Sequence, residues 1–337
     1  MMEDGFLEPQ RALTAVSDFV AEGLADGAES AALDAVAAEF KLRMTPAMRG
    51  AVRRAGDPVA AQFVPDAREM HPGLTHRYPD RVILHTTHSC EVYCRFCFRR
   101  EVVGEDGPLP AADLEAALDY IAATPAIWEV ILTGGDPMTL SPRRLRAIMD
   151  RLSAIPHVDV VRLHTRVPVV APEKVTEALV AAITAKSGGR PVIYVVVHTN
   201  HAQELTDAAR AALARLAGAG IPLLSQSVLL RGINDSVAAL EDLFRSLIRN
   251  RVTPYYLHHC DLAKGTAHFR TTIAEGQALM AALRGRLSGI CLPTYVLDIP
   301  GGHGKVPIGA GYLEPEGAGW QVTDWQGRTH RYDDPAR

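Results

Sequence analysis

"VILHTTHSCEVYCRFCFRR", residues 82–100, joins a β-branched apolar run to three cysteines and a pair of arginines. The run VILHTT (82–87) reads as a strand, so Cys90, Cys94 and Cys97 are expected just beyond a strand's C-terminal end. Their spacing is C-x3-C-x2-C, and the 337 residues contain only two other cysteines, Cys260 and Cys291. Outside an oxidising compartment, clustered cysteines more often bind metal or do redox work than form structural disulfides. Three thiolates can hold a metal or cluster while leaving one coordination position vacant, as a catalytic centre requires. Structural zinc completed by His88 or Cys260 is the competing reading of the spacing alone.

Working outward, strand-like runs recur, each followed by a helical segment. After VILHTT come WEVILT (128–133), VDVVRLH (158–164), VIYVVVH (192–198), PLLSQSVLL (222–230) and TPYYLH (253–258). AADLEAALDYIAA and SPRRLRAIMDRLSAI are two of the helices, the second opened by Ser-Pro. The pattern predicts an α/β fold with a parallel sheet curled into a partial, six-unit βα barrel, two units short of a closed one. Residues 1–75 are expected as an N-terminal helical region and 76–300 as the barrel. Residues 301–337 would form a short C-terminal extension ending in a hairpin within WQVTDWQGRTHRYDD. Barrel folds carry their chemistry at the C-terminal ends of strands. TGGD (133–136) ends the second strand, His198 the fourth, Gln226 lies within the fifth and Asp261 follows the sixth, so polar residues gather at one mouth.

Composition sets the outer limits. The chain is 47% hydrophobic and 22% charged, as globular chains are. A net charge of −4 gives no reason to expect nucleic acid or an anionic membrane as partner. The acidic start MMEDGFLEPQ has no signal-peptide pattern, and the uncharged run Leu216 to Leu230 is too short, and too broken by Pro222, to span a bilayer. A reducing cytoplasm is the expected location.

CEVYCRFC, with aromatic Phe96 before its third cysteine, resembles the signature of the radical S-adenosylmethionine (SAM) enzymes. The resemblance implies a barrel of radical SAM type in which Cys90, Cys94 and Cys97 hold three irons of a [4Fe-4S] cluster and SAM occupies the fourth. LTGGDP matches the family's glycine-rich element, which assigns Gly134, Gly135 and Asp136 to SAM.

Near the C-terminus, LDIPGGHGKVP (297–307) invites a phosphate-loop reading, but Ile299 stands where glycine is needed and Val306 where Ser or Thr is needed. With GLTHRYPDR, CRFCFRR, SQSVLLRGIND, YYLHHCDLAKGTAHFR and DIPGGHGK in order, the chain instead resembles the lysine 2,3-aminomutase family, starting from QFVPD at residue 62. That family also uses pyridoxal 5′-phosphate (PLP). The resemblance implies that Lys305 carries PLP, that Arg77 and Arg81 meet its phosphate, and that His198 and Gln226 lie against SAM. It assigns Arg99 to the substrate carboxylate, and Asp261 and Asp298 to the side-chain ammonium of lysine. A recessed pair of carboxylates invites a cation, and a substrate lacking one would cost roughly 3–5 kcal/mol.

The reaction implied is L-lysine to β-lysine. A compact branch making β-lysine for elongation factor P, or an aminomutase of another amino acid, are the alternatives. A reductant such as flavodoxin or ferredoxin and a homo-oligomer are the implied partners. Three departures stand out: no cysteine follows Cys291 to bind the zinc of longer members, His303 replaces a glycine, and the stretch between QFVPD and GLTHRYPDR is short.

Overall fold

Each of the six β-branched runs folds as a strand, and each helical segment after it packs on the same sheet. The computed structural model describes residues 11–335 apart from 40–41, 58, 61–62, 66–72, 102, 105–106, 185–189, 301–302, 310 and 318. Parts of QFVPD and the glycine pair of DIPGGHGK therefore lie outside the described residues. The chain divides into two units, residues 1–72 and 73–337. In the first, helices α1 (Val16–Ala21), α2 (Ser30–Glu39) and α3 (Pro46–Ala51) accompany a small core of Leu13, Phe19 and Met44.

The second unit is built on one nine-stranded sheet in sequential order. β1 (Leu74–Tyr78) pairs antiparallel with β2 (Arg81–Thr87). The parallel series follows: α4 (Ala111–Ala123), β3 (Glu129–Gly134), α5 (Pro142–Ser153), β4 (Val160–Thr165), α6 (Val167–Val170), α7 (Glu177–Ile183) and β5 (Val192–His198). It continues with α8 (Asp207–Gly218), β6 (Leu223–Leu229), α9 (Val237–Arg249), β7 (Val252–His259), α10 (Ile273–Arg284) and β8 (Thr294–Asp298). β9 (Lys305–Pro307) then returns antiparallel along β8. β10 (Leu313–Glu316), β11 (Gly319–Thr323) and β12 (Thr329–Tyr332) form a small separate sheet, and β11 with β12 is the expected hairpin.

The six expected strand–helix units are all present, and a seventh parallel strand, β8, follows them. Its five residues, TYVLD, bury only Tyr295 and Val296 fully, too short an alternation to stand out in sequence. Helix α5 shows how the pattern works. Ser141 caps it by accepting from Arg144 N at 3.3 Å, Pro142 sits in the first turn, and Leu145, Ile148, Met149 and Leu152 form the buried stripe. β3 is buried at all six positions, as a central strand should be.

The sheet curls far enough for its edges to meet without closing. Tyr78 Oη, in the first strand, accepts a hydrogen bond of 2.9 Å from the backbone N–H of Lys305 in the last. Among the described residues, no helix is long and apolar enough to cross a membrane.

Candidate active site

The end of β3 runs directly beneath the cysteine loop. Gly134 has φ +112°, and a Cβ on it would stand 2.3 Å from the Thr87 carbonyl; at Gly135 a Cβ would stand 2.2 Å from that of Ser89. Gly135 N donates to Thr87 O, and Asp136 N to Ser89 O at 2.8 Å. The glycines are thus required by the chain's approach to itself, where the sequence suggested only approach to a ligand. Asp136 is buried, and both its oxygens are committed: Oδ1 accepts from Met138 N (3.0 Å) and Thr165 Oγ1 (2.7 Å), and Oδ2 from Arg166 N (2.7 Å). Burial pushes its carboxyl above the usual range and these hydrogen bonds act against the push. Its visible work is to tie the ends of β3 and β4 together under the loop.

The three thiols are crowded. Burial, then the charge of Asp136 and the other two thiols, push Cys90 up to about 12; burial also raises Cys97. Such a trio ionises together only when positive charge arrives with its ligand. One cationic group already serves it: Arg166 Nη1 lies 2.8 Å from Cys94 Sγ, while its Nη2 pairs with Glu204 Oε2 at 2.6 Å. Glu204 Oε1 in turn accepts from Asn200 N (2.8 Å) and His201 N (2.9 Å), so the arginine is anchored in the loop after β5. Among the described residues no three His, Cys, Asp or Glu side chains converge as ligands of one metal ion. Cys260 sits in an apolar cluster with Leu230 and Phe269. A cluster that takes one thiolate per iron needs neither convergence nor a fourth protein ligand, so this donor set suits it.

A cavity of about 580 Å³, ample for small molecules, opens beside the cysteines and reaches Arg81 and Glu129 at the opposite ends of the strands. Every residue that the family resemblance assigns lines it: Cys90, Cys94, Cys97, Gly134, Gly135, Asp136, Arg77, Arg81, Arg99, His198, Gln226, Asp261, Asp298 and Lys305. Lys305 Nζ donates to Asp298 Oδ2, its register partner across β8 and β9. Asp298 is therefore not the unpartnered acid that the sequence suggested. Asp261 makes no hydrogen bond or ion pair through its carboxylate among the described residues; burial and then Asp298 raise its pKa, opposed by Lys305.

Arg99 is partly buried and makes no ion pair among the described residues. Its Nη1 meets His85 Nδ1 at 2.9 Å and its Nη2 donates to Thr133 Oγ1 at 3.0 Å. Arg81 stacks on Tyr78, 3.8 Å from ring centre, and bonds Asp80 at 2.7 Å, whereas Arg77 has no partner among the described residues. His198 and Gln226 are register neighbours on β5 and β6. Burial, with Arg166 and His258, lowers His198 to about 3 and leaves its Nε2 without a partner, a neutral imidazole in the wall.

A profile of the radical SAM superfamily matches residues 84–244, and one described as lysine-2,3-aminomutase matches 280–336. The L-lysine 2,3-aminomutase of Acetoanaerobium sticklandii is 40% identical over 304 residues, covering 84% of this chain and 72% of its own.

The chain belongs to the lysine 2,3-aminomutase family.

The Clostridium subterminale L-lysine 2,3-aminomutase is 42% identical over 276 residues, 76% of this chain and 65% of its own. The glutamate 2,3-aminomutase of Clostridioides difficile is 38% identical over 263 residues, 77% and 61% of the two chains. This family member thus spans about two thirds of the length of those relatives. Among solved structures, Streptococcus suis SuiB bound to S-adenosylmethionine aligns with 75% of this chain and 59% of its own, at 14% identity and a TM-score of 0.49. Radical SAM membership brings a [4Fe-4S] cluster and SAM, and the aminomutases add PLP.

Several lining residues of this aminomutase-family chain were not singled out from sequence. Arg166 follows β4 at the barrel mouth, a position that could have flagged it. Arg162 and Glu129 form a two-pronged ion pair (2.5 and 3.0 Å) between β4 and β3. His258 has its Nδ1 3.9 Å from Asp298 and is lowered to about 4, by burial first and then by Lys305. Nothing local marks Arg162, Glu129 or His258, because their partners are far away in sequence.

Proposed function

We propose that this protein is a radical SAM, PLP-dependent L-lysine 2,3-aminomutase, moving the α-amino group of L-lysine to C3 to give β-lysine. One observation carries the reading: a single cavity holds a guanidinium without a counter-anion, Arg99, and a pair of acids, Asp261 and Asp298, with Lys305 beside them. In the order of the sheet the two sets stand apart, Arg99 beside β2 and β3 and the acids at the ends of β7 and β8. An amino acid with a terminal cation satisfies both ends.

When bound, the cluster with SAM would supply hydrogen abstraction from the substrate, and PLP a conjugated π-system that stabilises the unpaired electron while the amino nitrogen moves from C2 to C3. The chain's own part is placement. Cys90, Cys94 and Cys97 would hold the cluster, with Arg166 donating to Cys94 Sγ. Lys305 would hold PLP, with Arg77 and Arg81 as forked donors for its phosphate. Arg99 grips the carboxylate, and Asp261 and Asp298 take the ε-ammonium. Holding PLP through Lys305 would take that ammonium out of its ion pair with Asp298. Holding both ends of the substrate in one cavity fixes the reacting atoms relative to one another. A one-electron donor such as flavodoxin or ferredoxin belongs to the same reading.

Anaerobic turnover of L-lysine with SAM, PLP and a reductant, with products separated by chiral chromatography, should yield β-lysine. Conversion of glutamate with lysine left untouched would overturn the proposal.

A further inference from the structure

The arginines lining the cavity fall into two groups. Arg81, Arg162 and Arg166 each pair with a carboxylate, from Asp80, Glu129 and Glu204 respectively. Arg77 is exposed. Arg99 alone is partly buried and held by hydrogen bonds to neutral groups, although an acid on a neighbouring strand would be the obvious partner for a guanidinium. Its two terminal nitrogens go to His85 Nδ1 (2.9 Å) and Thr133 Oγ1 (3.0 Å). We propose that His85 is a positioning residue that aims Arg99 at the substrate carboxylate without bringing an acid of its own to pair with it. This rests on the lysine aminomutase reading above.

The proton logic is closed by Thr75. A guanidinium can only donate, so His85 Nδ1 must accept and the ring proton must sit on Nε2. Nε2 lies 2.9 Å from Thr75 Oγ1, which accepts that proton. Strands β1, β2 and β3 thus each contribute one neutral group around the guanidinium: His85 and Thr133 accept from it directly, and Thr75 holds His85. Burial, then the charge of Arg99, lowers His85 to about 4, so the ring stays neutral at physiological pH and its lone pair remains available. A carboxylate at this position would orient Arg99 equally well but neutralise it, and an apolar residue would leave it free to swing. A histidine directly after the apolar VIL of VILHTT is the trace of this in the sequence.

Two measurements on the full, cofactor-loaded chain test the proposal. In the first, nitrogen NMR of labelled histidine should show His85 as the Nε2–H tautomer; a ring protonated on Nδ1 would overturn the proposal whatever the substrate. In the second, H85L should raise KM for lysine by about tenfold while kcat stays within about threefold, the scale of one misaligned charge-assisted hydrogen bond. H85N, whose amide oxygen can accept from Arg99, should bring KM back to within about threefold of wild type. Iron content and PLP absorbance of H85L should match wild type. An H85L enzyme with unchanged KM, or an H85N enzyme as impaired as H85L, sinks the inference. A wild-type chain inert towards lysine sinks the functional reading instead, and the tautomer measurement still decides whether Arg99 is held as described.

Discussion

Asp261 and Asp298 face the same difficulty, an acid side chain drawn away from water, and meet it differently. Asp298 has the ammonium of Lys305, whereas Asp261 has no such contact and its pKa is raised, by burial above all. A carboxyl whose pKa rises on folding favours the folded state while protonated, below its unfolded value; that contribution is lost as pH climbs through the raised folded value. At pH 7 to 8 Asp261 therefore works against the empty fold. Asp261→Asn should leave the melting temperature of the lysine-free protein unchanged or higher, yet raise KM for lysine by about two orders of magnitude, the cost of breaking a recessed charge pair. Calorimetry and steady-state kinetics on the same preparation check both signs, and a fall in both stability and KM would contradict the assignment. At this level the sequence was most informative where short motifs carry the chemistry. The cysteine triplet stands out by its spacing, whereas Asp261, Asp298 and Lys305 are named only through the resemblance to a family, and all of them line one cavity. Arg166 and His85 are not legible, because each acts through neighbours in other segments of the chain: Cys94 and Glu204 for the first, Arg99 and Thr75 for the second.

Strands and helices were legible wherever a hydrophobic period runs long enough to be seen. The six β-branched runs and their amphipathic helices satisfy that condition, while β8, β1 and β9 are short, and β1 and β9 are antiparallel additions to the strands next to them in the chain. Packing between elements was less visible still. At Gly276 of α10, a Cβ would lie 2.0 Å from the hydroxyl of buried Tyr295 in β8, and that hydroxyl is bonded to His259 Nδ1 at 2.7 Å. Gly276→Ala should therefore destabilise the protein by about 1–3 kcal/mol, the usual cost of overpacking, despite alanine's better helix propensity; chemical denaturation measures it. Gly135→Ala is expected to fail differently. Its Cβ would collide with the carbonyl of Ser89, next to the first cluster cysteine, so the loop must shift. Iron and acid-labile sulfide per chain should fall well below those of the wild type after anaerobic reconstitution.

Across the second unit as a whole, the sheet is open, and its first and last strands are joined by a hydrogen bond rather than a ladder. Tyr78 provides it, on the backbone of the very residue assigned to PLP, and a Cβ on the preceding Gly304 would stand 2.6 Å from the Tyr78 hydroxyl. Tyr78→Phe keeps the stack with Arg81 and removes only that contact. PLP affinity should drop by about fivefold, in line with one lost hydrogen bond, with little change in iron content; fluorescence titration with PLP reads it. Partial-barrel architecture was foreseeable from counting strand–helix units, but the way its edges meet was not, since that depends on curvature accumulated over nine strands.

Lys305 opens a strand of three residues, paired on β8 alone and exposed along its length. Whatever arrives at or departs from the ε-amine can do so after those few pairings melt, with the apolar interior undisturbed. Amide deuterium uptake at Lys305 and Val306 should outpace that at Val296 and Leu297 of β8, and slow when PLP is bound: a latch that costs the rest of the protein almost nothing to lift.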